Sequence, residues 1–374
     1  MPAKQKRILT SLYLIVTLFA SPVVYSLNLD PISADHWDEN HAAHLASRAG
    51  FGLLPGEIAA LAAQEPIKAV AYFVDGAAKP NVSAFEHSGI FDEGLDPFPP
   101  SRPATTRLAK EQGHALGINV KPGGNRPIQP IVNKFFYWLR ASRLETDRVS
   151  YWWANRMLTT NHPLQEKMAL FWHGHFATNE DKVRDYRKML KQLELFQEKG
   201  LSNFRELLIA VSQDPAMLAF LDAGVNTKDS PNENFAREIM ELFTMGVGHY
   251  SETDVQEAAR AFTGWNSQNL VFYIDEEQHD SGVKRFLGKE DNFSGTDIID
   301  LILEQPVTAE FIAAKIYRYF VSDQLSESDV KELGALLRDQ DFDIREFMTT
   351  LFLSEDFYSD KNRGTHIKSP VELV

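Results

Sequence analysis

Between Ser230 and Trp265 the chain reads SPNENFAREIMELFTMGVGHYSETDVQEAARAFTGW. At 100° per residue, Asn234, Arg237, Glu238 and Glu241 fall within one arc of roughly 100°, while Phe235, Ile239, Leu242 and Phe243 face away. Two carboxylates, an amide and a guanidinium on one stripe could bind a metal or perform acid–base work. As a solvated face, the same stripe would offer only an Arg237 to Glu241 pair at i,i+4, worth about 0.2–0.5 kcal/mol.

A second cluster is Phe171-Trp172-His173-Gly174-His175-Phe176. Histidines two apart share a face on a strand but diverge by about 200° on a helix. His173 and His175 can therefore share a divalent metal only if the helix ends near Gly174; otherwise they are hydrogen-bonded histidines packed among aromatics. A metal-bound histidine also needs an acceptor behind it, for which Asn179, Glu180 and Asp181 are local candidates. His279-Asp280, followed by Gly282 and Lys284, forms a third cluster, in which Asp280 suits an Asx-turn and His279 could reach a neighbouring cleft. In the fourth, His44 and Arg48 stand one helical turn apart and could hold an anionic group or cap a helix end.

These groups need a scaffold, and the sequence supplies a mainly α one. Ser230-Pro231-Asn232-Glu233 has the grammar of a capping box with proline at the first helical position, predicting a helix from there to Gly246, which can take the left-handed terminal conformation. Helical periodicity also marks residues 38–75, 131–264 and about 297–358, and Asn161-His162-Pro163 is a helix start. Leu270–Ile274 and Lys284–Leu287 flank Asp280-Ser281-Gly282 and predict a two-stranded β-ribbon near 270–288. The stretch 78–130 is rich in proline and shows no sustained period. It reads as a long irregular insert lying over the core, which would cover Phe91, Phe98 and Ile118.

Residues 1–26 have the form of a signal peptide: Lys4, Lys6 and Arg7 precede the apolar run Ile8–Ala20, and Val24-Tyr25-Ser26 offers a cleavage point. The run is short for the ~20 residues of a membrane span, so contact with the membrane is expected through this signal alone. The expected location is the periplasm or the exterior, with residues 27–374 as a single helical domain. The net charge of −14 becomes −17 once those three cations are removed, because residues 1–26 contain no acid. So acidic a chain repels phosphate backbones, which argues against nucleic acid as a partner. There are no cysteines, hence no disulfide framework or thiolate metal site. A phosphate-binding loop, a dinucleotide fingerprint, a zincin helix and a nucleophile elbow are all missing, so no nucleotide cofactor is expected. Ser369-Pro370-Val371-Glu372 repeats the capping grammar but has too few residues after it to offset helix nucleation, which suggests a natural chain that continues further.

Asn232-Glu233-Asn234-Phe235-Ala236-Arg237-Glu238, the Thr263-Gly264-Trp265 turn, His279-Asp280-x-Gly282-x-Lys284, the opening His44 to Gly52 and Ile367-Lys368-Ser369-Pro370-Val371-Glu372 together resemble the bacterial domain of unknown function 1800 family, from His44 to Val374. The resemblance implies an exported protein without an established activity, in relatives often encoded beside a sulfatase-like family that is a candidate partner. It also implies a further helical segment after the last motif. Two functional readings follow. In the first, the chain is a metal-assisted hydrolase or related enzyme on an extracytoplasmic substrate, with Glu238, Glu241 and His279 catalytic, His173 and His175 on a metal, and His44, Arg48, Asn234, Arg237, Asp280 and Lys284 binding. In the second, it is a non-catalytic binding or assembly module whose polar motifs form a buried network.

Overall fold

In the computed structural model, residues 27–76, 81, 83–89, 129–268 and 270–373 are described. The candidate signal 1–26 and nearly all of the insert, with Phe91, Phe98 and Ile118, lie outside them. The fold is mainly α, with seventeen α-helices among the described residues. Three short helices, α1 (Glu39–Ala49), α2 (Pro55–Ala62) and α3 (Pro66–Val74), precede a 31-residue helix α4 (Gln129–Thr159). Then come α5 (Pro163–Phe176), α6 (Glu180–Val183), α7 (Tyr186–Lys199), α8 (Phe204–Ser212) and α9 (Pro215–Phe220). The signature segment supplies α10 (Asn234–Glu241) and α11 (Glu252–Ala261). After the β structure, the chain closes with α12 (Gly295–Leu303), α13 (Pro306–Phe320), α14 (Glu327–Asp339), α15 (Ile344–Leu353), α16 (Glu355–Tyr358) and α17 (Pro370–Leu373).

Local signals start several of these helices. Pro163 opens α5 at its first position, and Ser251, Ser294 and Ser326 each form a capping box with an aspartate three residues on. The core is continuous from Leu27 to Tyr358. Trp172 lies at its centre, fully buried, stacked between Phe176 and Phe204, with its indole N–H donating to the Gly200 carbonyl at 2.8 Å. The first described residues lie against the last helices: Ile32 N–H donates to Leu353 and Asp356 N–H to Asn28.

Three local expectations are corrected. The signature helix begins at Asn234, not at Ser230-Pro231. Ser230 is drawn into a tight turn with Thr227, and Asn226 Oδ1 accepts the Asn232 N–H at 2.9 Å, so the residues before Asn234 have closed their hydrogen bonds outside a helix. Regular helix ends at Glu241, and the turn widens until Gly246, at φ +77°, reverses the chain, with Met245 and Gly246 N–H both reaching the Met240 carbonyl. The β structure falls in the expected region but pairs differently. Strand β1 (Trp265–Gln268) joins β2 (Val271–Ile274), and β3 (Lys284–Phe286) joins β4 (Lys289–Asp291), giving two separate antiparallel ribbons. Each strand takes the neighbour reached by the shorter loop. Finally, α17 forms despite its length, because Glu372 accepts the Ser369 N–H at 2.9 Å and is itself anchored by a tertiary ion pair.

Among the described residues no helix is long and apolar enough to cross a membrane.

Candidate functional site

The stripe on α10 does not form the pair expected of a solvated face. Arg237 reaches past Glu241 to α11, where its two terminal nitrogens donate to both oxygens of Glu252 at 2.9 and 2.7 Å. The pair is exposed, so it adds little stability. Glu241 accepts from the Tyr250 hydroxyl at 2.9 Å, and burial together with that carboxylate pushes the phenol up to about 12. Burial first, then Glu241, raises Glu238 above the usual carboxylate range, against a smaller opposing pull from Arg237. Asn234 donates to the Leu221 carbonyl at 3.1 Å.

The His279 cluster is closed on itself. His279 Nδ1–H donates to the Thr263 carbonyl at 2.8 Å, and the Thr263 hydroxyl accepts the Asp280 N–H at 2.8 Å. Asp280 makes the Asx-turn, accepting the Gly282 N–H at 2.8 Å, and its other oxygen takes Arg260 Nε at 2.7 Å, which holds its carboxyl below the usual range. Lys284 is buried, its ammonium donating to the Gly282 carbonyl at 2.9 Å and to Asn292 at 3.2 Å. This arrangement rivets the Thr263-Gly264-Trp265 turn to the loop before β3.

Arg48 caps a helix, though not its own. Its guanidinium donates to the Phe320, Tyr319 and Val321 carbonyls at 2.7, 3.3 and 3.0 Å, satisfying the C-terminus of α13. Lys167 does the same for α1, donating to Ser47 and Gly50 carbonyls at 3.0 and 2.8 Å, and pairs with Glu372 at 2.8 Å. Glu372, the carboxylate whose charge also acts on Arg48, belongs to the chain itself. His44 packs on Phe357 with ring centroids 4.6 Å apart; burial, then Arg48, lowers its pKa to about 4. Lys167 and Glu372 were not singled out from the sequence, where only a buried lysine amid the apolar pattern of α5 could have signalled the first.

His173 and His175 do not form a shared metal pair. The helix runs on through Gly174 to Phe176, so the 200° divergence stands and the two rings meet different neighbours. His175 is buried; its Nε2–H donates to the Phe243 carbonyl at 3.1 Å, and Nδ1 accepts from Lys315 at 3.3 Å. Burial, reinforced by Lys315, drops its pKa to about 3, so the ring is neutral. It ties α5 to the end of the signature segment. Among the described residues no group of three or more histidine, aspartate or glutamate side chains is arranged to hold a metal ion.

His173 faces the other way, into a cavity of about 220 Å³ walled by α4, α5 and α7. Val149, Trp153, Met189 and Leu193 provide apolar walls, and Thr178, Asn179, Glu180 and Tyr186 bring polar groups to the same space. Exposed Ser150 and Asn179 stand at its rim. Trp153 lies edge-on to His173 at 5.9 Å and is fixed from behind, its indole N–H donating to Glu166 at 2.9 Å while Glu166 is bound by Arg156 and Gln197. Burial lowers the His173 pKa and raises that of Glu180, where Arg143 opposes and Asp181 and Asp147 assist. Thr178 donates to Gln192, which in turn donates to buried Asp214 at 2.8 Å. Of the residues expected to do chemistry, His173 therefore lines this cavity together with Asn179 and Glu180, while Glu238, Glu241, His279, His44 and His175 lie outside its walls.

A sequence model described as a protein of unknown function, DUF1800, matches residues 44–374. No curated protein and no solved structure matches the chain.

Proposed function

The chain belongs to the DUF1800 family, and from that premise we propose that it is an exported acid–base catalyst of the hydrolase class, centred on the cavity beside His173. One observation carries the reading: in a single, mostly apolar cavity that both groups line, burial moves a histidine and a carboxyl group in opposite directions, toward each other. Neutral His173 can take a proton from water, and protonated Glu180 can give one to a leaving group. The volume is below the ~300 Å³ at which drug-sized pockets begin, so it suits one small unit of a substrate, with Trp153 and Tyr186 offering flat walls to an aromatic or sugar-like ring. If a divalent metal takes part, His173 and Glu180 are the groups beside this cavity to hold it, without His175, because the Asn179 side chain already caps α6 by accepting the Lys182 N–H at 3.1 Å.

A second reading is favoured by the fate of the other motifs. Arg48, Arg237, Lys284, Asp280 and His175 all spend their polar atoms on internal partners, as expected of a network that rigidifies an assembly module. In that reading the neighbouring sulfatase-like protein is the candidate partner.

The test compares the mature chain with His173→Gln and Glu180→Gln on chromogenic esters and glycosides, beside melting temperatures and metal content. Turnover lost in both variants at unchanged melting temperature supports the acid–base site. Turnover that survives His173→Gln removes it. One bound metal per chain that disappears with His173→Gln would convert the mechanism to metal-assisted hydrolysis.

A further inference from the structure

Thr146, Ser150 and Thr178 all line the cavity beside His173, and each gives its hydroxyl proton to an internal acceptor. On α4, Thr146 donates to the Ser142 carbonyl and Ser150 to the Thr146 carbonyl, both at 3.0 Å. Thr178, in the turn after α5, donates to Gln192 Oε1. A hydroxyl that has spent its one proton keeps its lone pairs, so toward a guest it acts as an acceptor. The Trp153 indole N–H is likewise turned away, to Glu166.

For Thr178 this direction is locked. Asp214 Oδ2 accepts the N–H groups of Ala216 and Met217 at 2.9 and 3.0 Å and the Gln192 amide at 2.8 Å. An oxygen that takes three N–H groups is an acceptor alone, so the Gln192 nitrogen must face it and the Gln192 oxygen must face Thr178. Gln192 is 1% exposed; a guest that drew the Thr178 proton to itself would leave that oxygen buried and unpaired, a loss of about tenfold or more in affinity. The two hydroxyls on α4 are held less firmly, because the carbonyl that each one bonds also takes a helical N–H.

A guest must therefore bring hydrogen-bond donors to these hydroxyls while laying a face against Trp153. A carboxylate or phosphate brings no donor, and a plain aromatic ring brings a face alone. An ammonium brings donors, but its charge beside Glu180 would favour the carboxylate form and remove the acid on which the proposed catalysis depends. A ring with free hydroxyls on its edge and C–H groups on its face meets each demand. We propose that Thr178, with Thr146 and Ser150, makes this cavity a subsite for a neutral sugar ring bearing free hydroxyls. The inference rests on the His173 and Glu180 reading and narrows its substrate to a sugar ester or glycoside.

Titration calorimetry of the full mature chain tests this with the methyl glycosides of glucose, galactose, mannose and xylose, each beside its deoxyfluoro analogues, in which fluorine keeps the place of a hydroxyl without its proton. At least one glycoside should bind, and fluorine at one of its positions should weaken it about tenfold or more. Thr178→Val, which keeps the shape and removes the lone pairs, should erase that difference, and Thr178→Ser should retain it. Should Thr178→Val fail to fold, Ser150→Ala at the exposed rim carries the test, weakening the glycoside about threefold at unchanged melting temperature. No binding by any glycoside overturns the proposal, as do fluorinated analogues that all bind as tightly as their parents. Hydroxyl-dependent binding without turnover would sink the acid–base reading alone; turnover of aromatic esters without glycoside binding would sink the sugar subsite alone.

Discussion

Lys167 and Glu372 meet at 2.8 Å with side chains only 4% and 5% exposed, joining α5 to the last described helix. Lys167 also closes the end of α1, and His366 lies 3.2 Å from the same carboxylate. Although burial opposes it, the hydrogen bonds from Lys167 and Ser369 and the Lys167 charge hold Glu372 down at about 2, while burial costs Lys167 some of its own basicity. The folded-state carboxyl pKa is below its unfolded value of 4.5, so this contribution is fully present above pH 4.5 and lost as pH falls through about 2. Glu372→Gln should cost about 3 kcal/mol at pH 7, because it leaves a buried ammonium without its counter-charge. Urea unfolding at pH 7 checks this; a loss below about 1 kcal/mol would mean the segment is not anchored here.

His175 yields a second pH effect, at milder acidity. Its folded pKa of about 3 lies below the ordinary 6.5, so it stays neutral in the fold while the unfolded chain takes up a proton. Stability is therefore fully present above pH 6.5 and falls as pH drops toward 3, by up to about 1.4 kcal/mol per pH unit from this one group. Thermal melts between pH 7 and 4 should show a steeper decline for the parent chain than for His175→Gln, whose amide can keep the bond to Phe243 without titrating. Equal slopes would place the acid sensitivity elsewhere, with His44, at about 4, the next group to replace.

The two glycines that flank α11 should differ in their tolerance of alanine. Gly264 and Gly246 both have φ +77°, yet a Cβ on Gly264 would lie 2.5 Å from the Asp275 carbonyl oxygen, whereas on Gly246 it meets only the Phe311 ring at 3.3 Å. Gly264→Ala carries the left-handed strain and a backbone clash, so about 3 kcal/mol is expected; Gly246→Ala carries mainly the strain, about 1 kcal/mol. Chemical denaturation of both variants measures the order, and a Gly246→Ala loss equal to that of Gly264→Ala would refute the clash argument.

Features encoded within a few residues were legible in the sequence. Pro163 starts α5, Asp280 turns onto Gly282, and Gly246 reverses the chain, because each needs only its neighbours. Ser230-Pro231 failed as a helix start since Asn226 and Thr227 offer the same backbone groups closer partners. Strand pairing was not legible, because runs of three or four residues carry too little pattern to choose a neighbour. The divergence of His173 and His175 followed from helix geometry once the helix passed Gly174. That Arg48 serves α13 and Lys167 meets Glu372 depends on elements remote in sequence, which no local period encodes.

The cavity makes the last prediction, on pH and rate. Burial is the first cause of both shifts there, and it acts oppositely on the two groups: it lowers His173 from 6.5 and raises Glu180 from 4.5. A neutral His173 as base requires pH above its pKa, and a protonated Glu180 as acid requires pH below its own. The acid limb therefore lies below pH 6.5, where His173 takes up a proton, and the alkaline limb above pH 4.5, where Glu180 loses one, so kcat/KM should follow a bell-shaped profile. Glu180→Gln should flatten the alkaline limb and lower the maximum by about 10²-fold, in line with loss of a general acid. The profile is measured with whichever chromogenic substrate the parent chain turns over. A rate still climbing above pH 8 would mean that some group other than this pair sets the proton balance, and the acid–base assignment to His173 and Glu180 would fall with it.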